Sequence, residues 1–493
     1  MSIRRVKCDE AKPACHNCCS TGRQCLGYSH DNSQLLQASQ GELLRQISAS
    51  LGGTQRERRA FEFYCVRTSP RLTGSDDHAF WGQLVIQRAY VDTGIRHAII
   101  ALASFYEDFE SGAENCVFAL EQYNLAIRKH FDSFKSENGP ATVEVYVSCL
   151  VFVCIEMLRA NFTSAISLAQ KSLSLLHGST EGQSPGTSNS LLHFLQRQFY
   201  RIQVQAIGLI GHVEGGSKYP PQAAQIVEPT IPSIFSSVSE AQDYLEFYGQ
   251  LYSLSTNDEQ TGPIMGGPAD FDIRIGSSEP YIDILRQWTN AFDAFLIRRA
   301  NSLTDQERHA VRILRMRQLL SHISLEVSTH CLPSDEQEMV WDNHCSEFND
   351  AVVLAESILT TMGDWEDASS LIRRKPSFSL DFVSVGPLYD IARRCRDPTI
   401  RRKAIDTLRT FRRREGMWDS EMALLVAERI VAIEEDGVDV ASCEDVPSWR
   451  RIFNVHPVLA LEDKKIYLHY ERIASPTQAV RVQVQEVIPY REI

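Results

Sequence analysis

The amino-acid sequence predicts a mainly α-helical protein in which a small cysteine-rich module precedes a large helical region. Apolar residues recur at helical spacing over most of the chain. Five of the thirteen cysteines lie within residues 8–25, and valines alternate with polar residues near the C-terminus. The alternating pattern predicts a small β-hairpin packed on the helices.

The charge of the chain is unevenly distributed. The 493 residues carry 50 basic and 63 acidic side chains, a net charge of −13 at pH 7. Residues 1–28 instead carry five basic side chains and only two acidic ones. Because an acidic chain repels the phosphate backbone, any contact with nucleic acid is expected to be confined to this basic head.

The large helical region is predicted to span residues 56–435, after a polar linker at residues 29–55 that is rich in Ser, Gln and Gly. Its first helices are expected over residues 95–106 and 118–134. In the second of these, Leu120, Tyr123, Ile127 and Phe131 recur at helical spacing, the pattern of an amphipathic helix.

The next two helices are expected over residues 143–158 and 162–176, as an antiparallel pair with a turn at Asn161 and a C-cap at Gly178. Further helices are predicted near residues 239–253, 279–300, 304–329, 336–362, 386–395, 398–414 and 418–435. Loops are expected at residues 178–190, 211–232 and 255–277. No run of 18 apolar residues occurs in the sequence, so we expect no membrane span.

The C-terminal extension, residues 436–493, has a different pattern. Residues 466–470 are rich in strand-forming residues, and Val480, Val482 and Val484 alternate with polar residues. Residues 474–477 have the composition of a turn. The extension therefore predicts the hairpin.

The cysteines of the head have a regular spacing. Six residues separate Cys8 from Cys15, two separate Cys15 from Cys18, and six separate Cys18 from Cys25. Two residues between thiolates allow both sulfurs to reach one tetrahedral zinc ion. No secretory signal precedes the cluster, so we expect a reducing compartment and zinc ligands rather than disulfides, with free thiols as the alternative. Several of the other eight cysteines have apolar neighbours and are expected to be buried.

The run Arg4-Arg5-Val6-Lys7-Cys8-Asp9, followed by Pro13, Cys15, Cys18 and Cys25, resembles the second part of a fungal six-cysteine binuclear zinc cluster. The resemblance implies a nuclear, sequence-specific DNA-binding transcription regulator with residues 1–28 as its DNA-binding module. In that family two zinc ions share six cysteines, and Cys8, Cys15, Cys18 and Cys25 match the third to sixth ligands.

The same resemblance implies the DNA contacts. Arg4 and Arg5 would reach bases of a GC-rich triplet in the major groove, with Lys7 nearer the DNA backbone. Members commonly bind paired half-sites as homodimers and act on the transcription machinery.

The first two cysteines of the motif are not found in this sequence. Counting back from Cys8 places the second cysteine at position 1, which is Met1, and the first one before it. Two explanations remain open: a missing upstream exon or wrong start, or a regulator that has lost DNA binding and acts as a helical co-regulator or adaptor.

Residues 56–435 resemble the fungal-specific regulatory domain that follows such clusters. The segments that carry this resemblance are Glu62-Phe63-Tyr64, His78-Ala79-Phe80-Trp81 and Ile95-Arg96-His97-Ala98. The resemblance implies a helical domain without catalytic residues, and regulators of this type often control metabolic gene clusters. The sequence contains no Gly-rich phosphate loop, GxSxG turn or HExxH helix. We therefore expect the chain not to be an enzyme.

A basic segment between Arg393 and Arg414 contains ten basic residues, opposed only by Asp397 and Asp406. One interpretation is a nuclear import signal or a second contact with the DNA backbone. We favour a solvated helix face that pairs with the acidic body, because apolar Ile405 and Leu408 lie within the segment.

Overall fold

A computed structural model describes residues 52–72, 79–113, 116–135, 143–180, 188–210, 230–255, 278–330, 332–363, 375–381, 383–460, 464–475 and 478–490. The described chain is mainly helical with small sheets, which confirms the predicted fold class. The cysteine-rich head and most of the linker lie outside the described residues. The predicted boundaries at residues 28, 55 and 435 stay predictions.

The first half of the described chain contains eight α-helices. They are α1 (Gln55–Phe63), α2 (Ser69–Leu72), α3 (Val85–Val91), α4 (Thr93–Ser111), α5 (Val117–Lys135), α6 (Val143–Leu158), α7 (Phe162–Thr180) and α8 (Ser188–Ile210). Two π-helical turns, Tyr64–Thr68 and Phe80–Leu84, join α1 to α2 and lead into α3.

The second half continues with α9 (Val238–Ser255), α10 (Ser278–Arg299), α11 (Asp305–Ser328), α12 (Ser334–Val340), α13 (Cys345–Gly363), α14 (Val385–Arg394), α15 (Pro398–Thr410) and α16 (Ser420–Glu434). Six strands accompany them: β1 (Ser377–Ser379), β2 (Arg413–Glu415), β3 (Trp418–Asp419), β4 (Phe453–Ala460), β5 (Lys465–Ser475) and β6 (Gln478–Pro489).

Local sequence signals set several helix ends. Thr54 and Glu57 form a capping box at the start of α1, where the Glu57 carboxylate accepts from the Thr54 amide at 2.7 Å. The Asp92 side chain accepts from the Ile95 amide at 2.9 Å and so caps α4. At its other end α4 stops at Gly112, which adopts a left-handed conformation with φ 67°.

The antiparallel pair of α6 and α7 was predicted correctly, with its turn at Asn161. The Asn161 amide group donates to the Glu156 carboxylate at 2.6 Å, and its backbone N–H donates to the Glu156 carbonyl at 2.8 Å. The predicted C-cap at Gly178 was wrong, because α7 runs on to Thr180. An internal glycine costs a helix only about 1 kcal/mol, so one glycine need not end it.

Helix α5 forms where the periodicity predicts it, yet only Tyr123 of its apolar stripe packs against the core. Leu120, Ile127 and Phe131 are all exposed, whereas Ala119 and Ala126 are buried against the rest of the protein. An amphipathic pattern identifies the helix but does not identify what the apolar face meets.

The predicted helix over 398–414 is too long, because α15 ends at Thr410. Strand β2 follows, pairing in parallel with β1 and antiparallel with β3. Gly416 makes the tight β2–β3 turn with φ 56°, and its N–H donates to the Ser379 carbonyl at 2.8 Å. The sequence of β2 consists of arginines and a glutamate, which carry no strand periodicity, so this small sheet was not predicted.

The predicted C-terminal hairpin is present as β5 and β6, which pair antiparallel from Lys465–Pro489 to Ser475–Gln478. A third strand, β4, pairs with the other side of β5 and was missed. It contains Pro457, which weakens a strand prediction, and Asn454 at φ 50°, next to a bulge. The result is a three-stranded antiparallel sheet.

One large hydrophobic core runs from Ala60 to Tyr490 and includes residues of the C-terminal sheet such as Ile466 and Leu468. The family-like segments of the sequence contribute directly, since Tyr64 and Trp81 are fully buried in it. A smaller core around Trp288 and Phe292 lies among α9, α10 and α11. The described domain is thus a helical body to which the C-terminal sheet is attached by apolar packing.

Replacing Gly416 with alanine should destabilise the protein, because alanine is strained at positive φ and its Cβ would overlap the Gln205 amide oxygen. Gly437→Ala is the matched control, since Gly437 also has positive φ (68°) but nothing lies within 4 Å of the added carbon. We expect about 1 kcal/mol lost in the control and roughly 1–2 kcal/mol more in Gly416→Ala. Equal losses in urea unfolding would show that contact with Gln205 is immaterial.

Candidate functional site

The residues predicted to bind zinc and DNA lie outside the described residues. This applies to Cys8, Cys15, Cys18 and Cys25, and equally to Arg4, Arg5 and Lys7. Their roles stay predictions. Within the described ranges, no group of three or more His, Cys, Asp or Glu side chains is placed to hold a metal ion. No helix in those ranges combines the length and apolarity needed to cross a membrane.

The basic segment is the main charged feature of the described body, and much of it is buried. Arg401 is fully buried, and Arg394, Arg396, Arg413 and Arg414 are nearly so. A buried guanidinium needs a carboxylate partner, because desolvation of an unpaired ion costs several kcal/mol. The buried arginines of this segment therefore require carboxylate partners inside the domain.

Glu434, at the end of α16, is the carboxylate that meets two of these arginines. It is 0% exposed. Its Oε1 lies 2.8 Å from Nη2 of Arg396, and its Oε2 pairs with Nη2 of Arg401. The backbone N–H of Ile452, just before β4, also donates to Oε1 at 3.1 Å. We call Glu434, Arg396 and Arg401 the buried triad.

The triad has further charged neighbours. Glu338 of α12 accepts from Nη1 of Arg396 at 2.6 Å, and Glu435 lies 3.4 Å from Nη1 of Arg401. Burial by itself would raise the pKa of Glu434, but the charges and hydrogen bonds of Arg396 and Arg401 outweigh it and lower that pKa to about 2. Glu434 is therefore a carboxylate ion at neutral pH.

A second ionic cluster lies at the β2–β3 turn. Nη2 of Arg414 is 2.9 Å from Oδ2 of Asp419, and Nη1 of Arg414 donates to the Leu158 carbonyl at 3.0 Å. Glu415 accepts from the backbone N–H groups of Val383, Ser384 and Val385 at 2.8–2.9 Å, at the start of α14. A carboxylate at a helix N-terminus compensates the helix dipole. These contacts join the small sheet to α6 and α14.

The expectation for the basic segment was therefore right about pairing and wrong about solvation. Arg402 and Arg409 remain exposed and pair with Glu435 and Glu428, as a solvated face would. The five buried arginines instead lie inside the domain. A buried guanidinium held by carboxylates cannot bind a DNA phosphate, so these five residues give no support to the nucleic-acid interpretation.

Three cysteines from distant parts of the chain meet beside Arg451. Cys345 is within hydrogen-bonding reach of Cys395 and of Cys443. Hydrogen bonding to Cys395, with burial, raises the pKa of the Cys345 thiol, and burial raises that of Cys443 to about 11. Thiols with raised pKa values are weak nucleophiles at neutral pH. Cys395 and Cys154 are buried, as expected for small apolar side chains.

An open groove of about 770 Å³ lies between α13 and α15. Its wall carries Arg402 and Lys403, but Nζ of Lys403 is 3.0 Å from Oε2 of Glu356 across the groove. Arg402 is paired with Glu435 as described above. Because both cations are already paired, the groove does not have the character of an anion site.

The described body is thus a large helical domain built around an apolar core, with internally paired charges. Residues 59–362 match the model of the Fungal specific transcription factor domain, and the chain belongs to that family. The protein is accordingly a transcription regulator and not an enzyme, which confirms the prediction made from the sequence. The family match lies within the predicted regulatory region, residues 56–435.

Three relatives are also named as regulators of transcription. The aspercryptin biosynthesis cluster-specific transcription regulator atnN of Emericella nidulans is 24% identical over an alignment covering 89% of this chain and 87% of the relative. The transcription regulator lscL of Purpureocillium lilacinum is 24% identical over 36% of this chain and 47% of its own length. A transcriptional regulatory protein of Schizosaccharomyces pombe is 63% identical over 27 residues, 6% of this chain and 5% of its own. No solved structure matches the chain.

Sequence reasoning missed the buried triad, although one signal for it was present. Arg401 lies on the same helical face as buried Ala404 and Ile405, which places a charge among core positions. Nothing in the sequence near Arg401 points to Glu434, 33 positions later. The pairing depends on how α15 and α16 pack, and that is a tertiary property.

Glu434→Gln should destabilise the protein strongly, because two buried guanidinium groups would lose their shared counter-charge. We expect a loss of about 3 kcal/mol in the free energy of unfolding, at the low end for a broken buried pair because Glu338 and Glu435 remain. The matched control is Glu428→Gln, which removes the exposed partner of Arg409 and should cost well under about 1 kcal/mol. Urea unfolding at pH 7 measures both, and similar losses would contradict a special role for the triad.

The protein should also lose stability as the pH falls from about 4.5 towards 2. Glu434 and Glu246 both have pKa values lowered to about 2, by Arg396 with Arg401 and by Arg201 with Arg317, against the effect of burial. A carboxyl group whose pKa is lower in the folded state stabilises the fold above its unfolded pKa, and protonation removes that contribution. Unfolding free energies measured between pH 6 and 3 should stay nearly constant down to about pH 5 and then fall, and Glu434→Gln should flatten that fall. An unchanged slope in the variant would argue against an ionised Glu434.

Proposed function

We propose that this protein regulates the transcription of a fungal biosynthetic gene cluster by binding DNA in the nucleus through its cysteine-rich head. The observation that carries the proposal is the pairing of that head with a matched fungal-specific transcription factor domain in one chain. The name of the Emericella nidulans relative, a cluster-specific regulator, supports the choice of target. The helical body would regulate the head and contact the transcription machinery.

Zinc is the metal that suits the donor set of the head. Cys8, Cys15, Cys18 and Cys25 supply soft thiolate ligands, and the spacing of two residues is that of zinc sites. When bound, zinc would fix the fold of a segment too short to bury a core of its own. The four cysteines would hold the metal, and the short basic run before Cys8 would be oriented by it.

The division of charge supports a DNA contact made by the head. Residues 1–28 are basic while the whole chain is acidic. In the basic segment of the body, Arg396 and Arg401 are held in the buried triad and Arg414 in the β2–β3 cluster. The exposed Arg402 and Arg409 are paired with Glu435 and Glu428. Arg4 and Arg5 would bond guanine bidentately, and Lys7 would contact a phosphate. A homodimer would present two heads to paired GC-rich half-sites.

The test is DNA binding and zinc content of the chain, measured by fluorescence anisotropy on a duplex with GC-rich triplets and by elemental analysis. Arg4→Ala with Arg5→Ala should weaken specific binding at least about tenfold, since each bidentate contact to guanine contributes roughly 1–3 kcal/mol. Lys7→Ala should reduce the salt slope by about one. Arg402→Ala with Arg409→Ala is the matched control, because these arginines are exposed on the body, and should leave binding unchanged.

Removal of zinc with a chelator should abolish specific binding. A chain that is folded, carries no zinc and shows no preference for the GC-rich duplex would overturn the proposal. That result would favour a helical co-regulator that acts through protein contacts.

A further inference from the structure

The outer face of α5 carries a row of exposed apolar side chains. Val117 is 62% exposed, Leu120 36%, Ile127 42% and Phe131 58%. Single exposed apolar residues are ordinary, but a continuous row on one helix marks an interaction surface.

The spacing of this row is that of a coiled-coil seam. Val117, Leu120, Asn124, Ile127 and Phe131 are separated by three, four, three and four residues. This is the alternation of a and d positions in a heptad repeat, with Asn124 at an a position. We call these five residues the α5 seam. An asparagine at one a position is a device that selects one alignment of two helices at some cost in affinity.

The helix that carries the seam is held rigidly from its other side. Oε1 of Gln122 accepts from Nδ1 of His97 at 2.7 Å, and Nε2 of Gln122 donates to the Glu57 carboxylate at 3.0 Å. The His130 side chain is buried against Gly94 of α4, where an added Cβ would meet its ring. A partner would therefore meet a preformed helix and would not have to order it, which lowers the entropic cost of binding.

The charges beside the seam distinguish between the possible arrangements. Glu121 and Arg128 are exposed, lie on the same flank and are seven residues apart, both at e positions. In an antiparallel pair related by a two-fold axis, e positions face e positions, so Glu121 of each copy meets Arg128 of the other. In a parallel pair e faces g, and the g positions of α5 are Tyr123 and His130, with Cys116 just before the helix. Only the antiparallel pair satisfies both charges.

We propose that the α5 seam binds the α5 seam of a second copy of this chain, as an antiparallel two-helix contact. Leu120 then packs opposite Phe131 of the second copy and Asn124 opposite its Ile127, with two Glu121–Arg128 ion pairs on the flanks. A closed two-fold contact uses the same patch on both copies, which suits a self-complementary surface. The contact uses α5 and not the cysteine-rich head, so it can form without DNA.

The contact should be weak. The 19 residues of α5 make a rod of roughly 28 Å, and two such rods bury less than the ~1,600 Å² of a standard stable interface. We therefore expect dissociation in the micromolar range, so that dimers form when molecules are held close together, as on neighbouring DNA sites.

Sedimentation velocity of the full chain without DNA, from about 1 to 100 μM, tests the proposal. The wild-type chain should shift from monomer to dimer across this range, and Ile127→Glu should remain monomeric with an unchanged circular dichroism spectrum. Ile297→Glu is the matched control, since Ile297 is an 81% exposed isoleucine on α10, and should dimerise as the wild type does.

Charge exchange tests the antiparallel arrangement. Glu121→Arg and Arg128→Glu should each weaken the dimer at least about threefold, because each creates two like-charge contacts, and the double variant should restore it. A wild-type chain that stays monomeric at 100 μM, or a dimer that Ile127→Glu leaves intact, would overturn the proposal. So would single charge variants that the double exchange does not rescue. None of these outcomes bears on DNA binding by the head.

Discussion

The second half of the fold depends on keeping one carboxylate charged inside the core. Glu434 has no exposed surface, yet Arg396 and Arg401 hold it ionised. The cost of removing three charged groups from water is recovered only if the groups keep close and well-directed contacts. Those contacts come from α12, from the link between α14 and α15, from α15 and from the segment before β4. The triad therefore fixes the relative positions of several elements that apolar packing alone would constrain less sharply, because hydrophobic contact is non-directional.

This constraint also explains how the C-terminal sheet is joined to the helices. Ile452 donates its N–H to Glu434, and the neighbouring Arg451 lies 2.6 Å from Oδ2 of Asp342 while donating to the Glu338 carbonyl. The chain thus enters β4 through a buried backbone hydrogen bond to the Glu434 carboxylate and an ion pair of buried Arg451. Beyond that point Ile466 and Leu468 pack into the main core. Directional polar contacts set the orientation of the sheet, and apolar burial stabilises it.

Much of the fold could be predicted from the sequence because helix periodicity is a local signal. The α6–α7 pair and the β5–β6 hairpin follow from patterns within about forty residues each. Strands β1 to β3 could not be predicted from the sequence, because the Arg413–Glu415 strand is defined by partners across the domain and not by its own residues. The same limit applies to the sites. The cysteine run is recognised because its chemistry lies in consecutive residues, whereas the triad joins residues 33 and 38 positions apart whose meeting is a result of folding.

The surface of α5 and the basic segment show the same limit of sequence-based prediction, because in both the sequence suggests the wrong environment for a helix face. The sequence around Arg401 suggests a solvated charged face, and the structure buries it with acidic partners. The sequence around Ile127 suggests an amphipathic helix of the usual kind, and the structure turns Leu120, Ile127 and Phe131 outwards. In each case the residue types fix what kind of partner is needed, a carboxylate or an apolar surface, but not where it comes from. For Arg401 the partner lies in the same chain. For Ile127 the heptad spacing and the paired charges of Glu121 and Arg128 point to a second copy of the chain.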